Sequence, residues 1–289
     1  MRRFVEWGAA IALALLWFVA GLWKLSDVTQ TQVRLTQLLV PQPLSLAAAL
    51  GLGTTETFAG LLLLLPAWRR WGAWLSGFLL GVFMAYVGYN YRALTGADCT
   101  CFPWLKEAIG PMFFVRDGAL MGLALLAGWW AAPSRNPRRA AATLAAVAVL
   151  AGGWFALDRS RNPGAMVEHA SITADDRPLS LKQGRVFLYF FNPLCPHCFQ
   201  AAQAMSRLTW QATIVGLPTQ DFEQGREFFR SAGVTQAQLS PDAGKLRQSF
   251  PFRDVPYAVA VENGRVREKL VFFEEPELAA TLRRLGFAR

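Results

Sequence analysis

Cysteine is scarce in this chain of 289 residues: there are four, in two close pairs. Cys99 and Cys101 bracket a single threonine, and Cys195 and Cys198 bracket Pro196 and His197. Four cysteines so spaced do not make a structural disulfide lattice; they read as two redox pairs. Histidine is scarcer still, with only His169 and His197. Zinc wants four ligands, so a zinc site on Cys195 and Cys198 lacks partners, and no metal is expected. Charge is sparse, at 17% of residues against 53% hydrophobic, with positive mean hydropathy. That is too apolar for an ordinary soluble domain and points to a membrane protein. Acidic side chains are outnumbered 20 to 29, for a net charge of +9. Many of the arginines cluster in short loops between apolar spans, where they set topology, so nucleic acid is not an expected partner.

The apolar residues concentrate before about residue 157. A span needs roughly 20 of them, which places spans at Phe4–Leu25, Leu44–Leu65, Ala73–Leu94, about Met112–Ala132 and Ala140–Leu157. The first lacks a small-residue cleavage site and closes on Trp23-Lys24, so it reads as an uncleaved helix. Ser26–Gln42 reads as a polar connection, and Trp68-Arg69-Arg70-Trp71 as a tight basic turn. If spans alternate, Arg2/Arg3, Arg69/Arg70 and Arg135/Arg138/Arg139 share one side, the cytoplasm by the positive-inside rule. Both cysteine pairs then face outward, towards the periplasm of a bacterial inner membrane, where disulfides persist.

The expected fold class is an α-helical transmembrane bundle of four helices plus a fifth linking helix, followed by an α/β domain. Residues 1–132 form the first part, 133–178 the fifth helix and linker, and 179–289 the soluble domain. Asp158–Asp176, with Asn162-Pro163-Gly164, reads as a linker of roughly 20 residues able to stretch over several tens of ångströms. The soluble part alternates strand and helix: strand Val186–Phe191, a helix from Cys195 to about Leu208, strand Ala212–Leu217, and helix Asp221–Ala232. Asp221 is the expected N-cap of that second helix and Gly233 its stop. Strands Tyr257–Glu262 and Arg265–Phe273 flank the turn Asn263-Gly264, and Pro276–Leu285 closes as a helix.

This order, with Cys-x-x-Cys at the first strand-to-helix junction and Val255-Pro256 before the hairpin, resembles the thioredoxin fold over roughly Leu179–Phe287. The run Phe190-Phe191-Asn192-Pro193-Leu194-Cys195-Pro196-His197-Cys198 looks most like DsbA-type disulfide oxidases. Asp242-Ala-Gly244, Val255-Pro256 and Glu262-Asn-Gly264 also resemble TlpA-type reductases. Leu194 departs from the tryptophan of thioredoxin, Tyr189 stands where a buried acid is usual, and the large helical insertion of DsbA proteins is missing. Residues 1–132 resemble the MauE/DoxX-like membrane proteins through Gly21-Leu-Trp-Lys24-Leu25, Glu56, Cys99-Thr-Cys101-Phe102 and Val115-Arg116-Asp117. That resemblance implies a role in disulfide chemistry of exported proteins.

Cys195 is the expected nucleophile, because a helix N-terminus and the Cys-x-x-Cys context favour its thiolate, with His197 adding a donor or positive charge. Cys198 is the expected resolving cysteine. Pro256 is expected cis, facing the sulfurs and leaving the Val255 backbone to pair with a client. Cys99 and Cys101 can close only a strained ring, which is comparatively oxidising and suits a relay; a half-site for copper(I) or inert thiols are the alternatives. Glu56, buried in a span, is functional by default or held by local hydrogen bonds. Lys24 and Arg116 are interfacial anchors or quinone-binding cations, and Asp117 is the simplest partner for Arg116. The expected activity is a membrane-anchored thiol–disulfide oxidoreductase. Its Cys195/Cys198 pair oxidises exported thiol proteins and is reoxidised by Cys99/Cys101, with a quinone as final acceptor. A reductase or isomerase, and a non-catalytic assembly factor for one client, are the competing readings.

Overall fold

The computed structural model describes the backbone of residues 2–95, 98–102, 105–161 and 164–289, and side chains except those of residues 2, 3, 5, 98–102, 105–108 and 158–161. The chain divides into two compact units, Met1–Ala156 and Leu157–Arg289.

The first unit holds helices α1 (Arg2–Ser26), α2 (Val28–Gln37), α3 (Gln42–Leu64), α4 (Arg69–Tyr89) and α5 (Tyr91–Leu94). An antiparallel hairpin follows, β1 (Asp98–Phe102) and β2 (Leu105–Ala108), then α6 (Pro111–Trp130) and α7 (Pro137–Arg161). Five of these helices, α1, α3, α4, α6 and α7, are long and apolar enough to cross a membrane. Two boundaries differ from the sequence reading. The polar connection contains α2, whose N-cap Asp27 accepts from the Gln30 N–H at 3.0 Å. The basic Trp68–Trp71 run is the start of α4, and α4 stops at Tyr89 because the Asn90 side chain turns back onto the Tyr86 carbonyl, at 3.0 Å.

α1 and α3 approach closely where a side chain is absent: a Cβ on Gly21 would lie 2.6 Å from the Thr57 backbone nitrogen. At one end of the bundle Arg69 donates to Glu6 at 3.1 Å and lies over the Trp7 ring, 3.7 Å from its centroid. From there α4 runs to the opposite end, where the Tyr86 hydroxyl donates to the Leu38 carbonyl at 2.7 Å. The β1–β2 hairpin and the start of α6 therefore share the end of the bundle that holds the C-terminus of α1, and α1 touches β1. Two buried ion pairs belong to this hairpin half: Lys24 Nζ to Glu56 at 2.8 Å, and Arg116 Nε to Asp117 at 2.9 Å.

The second unit opens with hairpin β3 (Ser171–Ala174) and β4 (Arg177–Ser180). Its sheet has the order β7-β6-β5-β8-β9, formed by β5 (Arg185–Phe191), β6 (Thr213–Pro218), β7 (Gln238–Leu239), β8 (Tyr257–Glu262) and β9 (Arg265–Leu270). β5 pairs parallel with β6 and antiparallel with β8, and β9 is antiparallel to β8. Helices α8 (Pro196–Ser206), α9 (Gly225–Ala232), α10 (Ala243–Ser249) and α11 (Glu277–Leu285) complete it. β5 is central and covered on both faces, which explains its unbroken apolar run. Gly216 on β6 is required because a Cβ there would collide with the Phe229 ring. Asn263 and Gly264 both have positive φ and turn β8 into β9.

Two sequence expectations are corrected here. Asp221 makes no side-chain cap: its own φ is 46°, and a 3₁₀ turn, Phe222–Gln224, leads into α9. The stretch Asp158–Asp176 is largely structured. α7 continues to Arg161, Gly164 N–H donates to Val266 O at 2.9 Å, Val167 N–H donates to Gly264 O at 2.8 Å, and β3 follows. Few apolar residues are needed to zip onto a strand edge through the backbone, so composition did not mark this pairing.

Replacing one partner of the Lys24–Glu56 pair leaves the other charge buried and alone. Lys24→Met or Glu56→Gln is expected to cost about 3–5 kcal/mol, and Lys24→Met with Glu56→Leu to recover most of it. Unfolding of the full chain in detergent measures this; equal losses in single and double variants would show that the pair does not couple the helices.

Candidate active site

β5 delivers the chain to the site and α8 carries it away. At the end of β5, Asn192 Oδ1 accepts from Leu194 N–H at 2.9 Å, and Cys195 N–H donates to Asn192 O at 3.0 Å. This turn places Cys195 as the N-cap of α8, with Pro196 in its first turn, where a missing N–H is harmless. Cys195 Sγ accepts from the Cys198 backbone N–H at 3.4 Å. Cys195 is half-buried, Cys198 is fully buried, and both are free thiols.

The pair is electrostatically split. The Cys198 side chain hydrogen-bonds to the Cys195 sulfur, and the backbone N–H groups of Cys198 and His197 and the His197 charge also favour the thiolate. Against opposing burial they bring Cys195 from 9.0 down to about 6. The same hydrogen bond and burial push the Cys198 thiol up. One sulfur is a ready thiolate; the other holds its proton.

Pro256 follows a cis Val255–Pro256 bond, and Val255 packs against the core cluster that also contacts Cys195. The geometry thus gathers Cys195, Pro196, His197 and Cys198 on one helical turn, with Val255 on the neighbouring core. Sequence reasoning did not assign roles to Asn192, which builds the turn, or to Tyr189, whose buried hydroxyl donates to the Cys198 carbonyl at 2.8 Å. A single hydroxyl inside an otherwise apolar strand is the signal that points to it.

The membrane-unit candidates sit apart from this cluster. Cys99 and Cys101 are on β1, with Cys99 in register with Glu107; their side chains lie outside the described residues. The Thr55 and Thr57 hydroxyls turn back onto the Gly51 and Gly53 carbonyls, and the Glu56 carboxylate goes to Lys24. Arg116 is held by Asp117, which is buried.

The depressed Cys195 value fixes a pH dependence. In the reduced protein, folding is favoured by Cys195 ionisation; this contribution is complete above pH 9 and is lost as pH falls through about 6. Cys198 adds nothing in that window, because its thiol stays protonated in both states below pH 9. The oxidised protein has no such titration. The melting temperature of the reduced form minus that of the oxidised form should therefore rise as pH increases from 6 to 9. A pH-independent gap, or an ultraviolet thiolate titration centred near 9, would contradict the assignment.

The family described as Methylamine utilisation protein MauE matches residues 2–131. No curated protein matches the chain. Among solved structures, similarity extends to a protein described as a disulfide isomerase from Bacteroides thetaiotaomicron, 20% identical over 43% of this chain and 88% of that one, TM-score 0.37. The thioredoxin domain of a thiol-disulfide oxidoreductase from Bacteroides vulgatus is 16% identical over 43% and 96%, TM-score 0.35. A secreted Mycobacterium tuberculosis disulfide oxidoreductase is 19% identical over 39% and 94%, TM-score 0.32. The strand order, the Cys-x-x-Cys turn after β5 and the cis proline before β8 carry the assignment of the second unit. Residues 2–131 match the MauE family, and the second unit has a thioredoxin-like fold.

Proposed function

We propose that this chain introduces disulfides into exported proteins from the inner membrane, with its N-terminus cytoplasmic and the thioredoxin-like unit in the periplasm. The carrying observation is the Cys195 sulfur at the start of α8, half-buried, hydrogen-bonded from Cys198 N–H and brought to about 6. A stabilised thiolate is a good leaving group, so a Cys195–Cys198 disulfide is readily given away. The orientation rests on the arginine clusters, which repeat on one side of alternating spans.

Two electrons pass from a client dithiol to Cys195/Cys198, then by disulfide exchange to Cys99/Cys101, and from there to a quinone of the bilayer. When bound, a quinone would supply the acceptor chemistry for two electrons and two protons for each disulfide formed. Lys24 and Glu56 lie in the half of the bundle that carries the β1–β2 hairpin. An ammonium has three N–H donors and the Glu56 contact uses one, so Lys24 suits a carbonyl acceptor. Arg116, held by Asp117 at the start of α6, is the second candidate donor.

Thiol trapping in intact cells tests the direction. Acid quenching and a mass-tagged alkylator should find Cys195 and Cys198 mostly oxidised, becoming reduced when quinone is depleted or when Cys101→Ser is introduced. A pair that stays reduced under all conditions reverses the flow and makes the chain a reductase. Client maturation that survives Cys195→Ser with Cys198→Ser removes the redox role.

A further inference from the structure

The end of the bundle that holds the start of α4 joins two helix starts with a strap. After α6, the chain crosses the first turn of α4 on its way to α7. Arg135 N–H donates to Ala67 O at 3.0 Å, Trp68 Nε1–H donates to Arg135 O at 2.9 Å, and Trp71 N–H donates to Ser134 Oγ at 3.2 Å. α4 has no side-chain cap at Trp68, so its positive end is left to its surroundings. Arg70, Arg135, Arg138 and Arg139 are exposed here. Among the described residues, Glu6 is the acidic side chain at this end, and Arg69 takes it. Trp129, 78% exposed at the end of α6, and Trp71 on α4 mark the level of lipid headgroups.

One turn deeper, α4 and α6 part to leave an apolar groove of about 300 Å³, lined by Trp74, Gly77 and Phe78 from α4 and by Met121, Ala124 and Leu125 from α6. Nearer the arginines the two helices close up: a Cβ on Gly128 would lie 3.2 Å from the Ala73 Cβ. The groove stays open at Gly77, where an added Cβ would meet the Met121 sulfur at 3.5 Å and nothing nearer. Residues four apart share a helix face, so Arg70, Trp74 and Phe78 form one line on α4. Arg70 stands about 6 Å above Trp74 along the axis. Trp68, Trp71 and Leu75 form another face, packed in one cluster with Ala140 at the start of α7. The cation over the groove is therefore Arg70, with Arg135 on the strap as a second, while Arg138 and Arg139 belong to the α7 side.

We propose that Arg70 and the α4–α6 groove together bind one anionic glycerophospholipid. Its phosphate meets the Arg70 guanidinium and the uncapped start of α4, and one acyl chain runs along Trp74, Gly77 and Phe78. A phosphate accepts the planar fork of N–H groups that arginine offers, and a chain descending from it enters the bilayer along the line that the groove follows. A quinone carries no charge to answer these cations, and Lys24 and Glu56 lie on α1 and α3, which do not line the groove. The inference rests on the membrane character of the five long helices; it needs neither the redox reading nor an assignment of the leaflet.

The full chain in phosphatidylcholine bilayers tests this, with a small fraction of phosphatidylglycerol brominated on its acyl chains. Bromine quenches nearby indoles, and a Trp74→Phe protein subtracts the signal of the other tryptophans. Quenching of Trp74 should saturate at a far lower lipid fraction with brominated phosphatidylglycerol than with phosphatidylcholine brominated alike. Arg70→Gln should raise the half-saturating fraction about fivefold. Arg139→Gln, which removes the same charge from α7, should leave it unchanged. Gly77→Leu fills the groove with every charge kept and should abolish the preference. Equal quenching by the two lipids overturns the proposal. Equal losses in Arg70→Gln and Arg139→Gln also overturn it, because they make the attraction diffuse, and this pair decides even if Gly77→Leu does not fold. A folded Gly77→Leu protein that keeps the preference overturns it as well. Displacement of the brominated lipid by an isoprenoid quinone overturns it too, and gives the groove to the quinone.

Discussion

The backbone N–H of Cys198 points at the Cys195 sulfur because β5 ends at Phe191 and α8 begins at Pro196, with a four-residue turn between them. The second unit is arranged around that contact. β5 must be central, so that its end is rigid, and its residues must be apolar on both faces, because both are buried. The aromatic packing of Tyr189, Phe191 and Phe229 then fixes where α8 sits, and Gly216 leaves the room that Phe229 needs. The electrostatic split between the two sulfurs follows from this placement: one is at a helix start beside donors, the other is one turn deeper among rings.

The first unit is organised by a different constraint. Charges are costly among apolar helices unless they are paired, and the pairs here tie together specific elements: Glu6 with Arg69 joins α1 to α4, and Lys24 with Glu56 joins α1 to α3. Arg116 with Asp117 stays within α6. The close α1–α3 approach at Gly21 brings Lys24 within reach of Glu56, so small residues and charged residues act together.

Much of this was legible in the sequence, for physical reasons that differ by element. Long apolar runs identified five spans, because crossing a bilayer leaves little choice of composition. β5, β8 and the Asn263-Gly264 turn were legible because a buried central strand and a tight hairpin each demand particular residues. The Cys195–Cys198 turn was legible because a sulfur pair at a strand-to-helix junction has few other uses. What escaped were features that depend on backbone hydrogen bonds or long-range partners. α2 is short and polar, so its Asp27 cap was easy to pass over. Asp221 had the right chemistry for a cap, but its positive φ turned it out of position. That Glu56 would find Lys24 and not its threonine neighbours depended on the α1–α3 register, which periodicity does not give. The Tyr189 hydroxyl was visible, but its acceptor, a backbone carbonyl nine residues later, was not.

The pairing of Gly164–Val167 with the first half of β9 has a counterpart across the sheet. There, Asp175 donates its backbone N–H to Leu239 O at 2.8 Å, and its side-chain Oδ1 accepts from Leu239 N–H at 3.2 Å, closing over the two-residue strand β7. Both margins of the sheet are thus occupied by the chain itself, one by backbone and the other by backbone and the Asp175 carboxylate. Exposed margins invite strand addition, domain exchange and fibre growth. Along the covered stretches of its two outer strands, this sheet leaves little backbone for another chain to pair with.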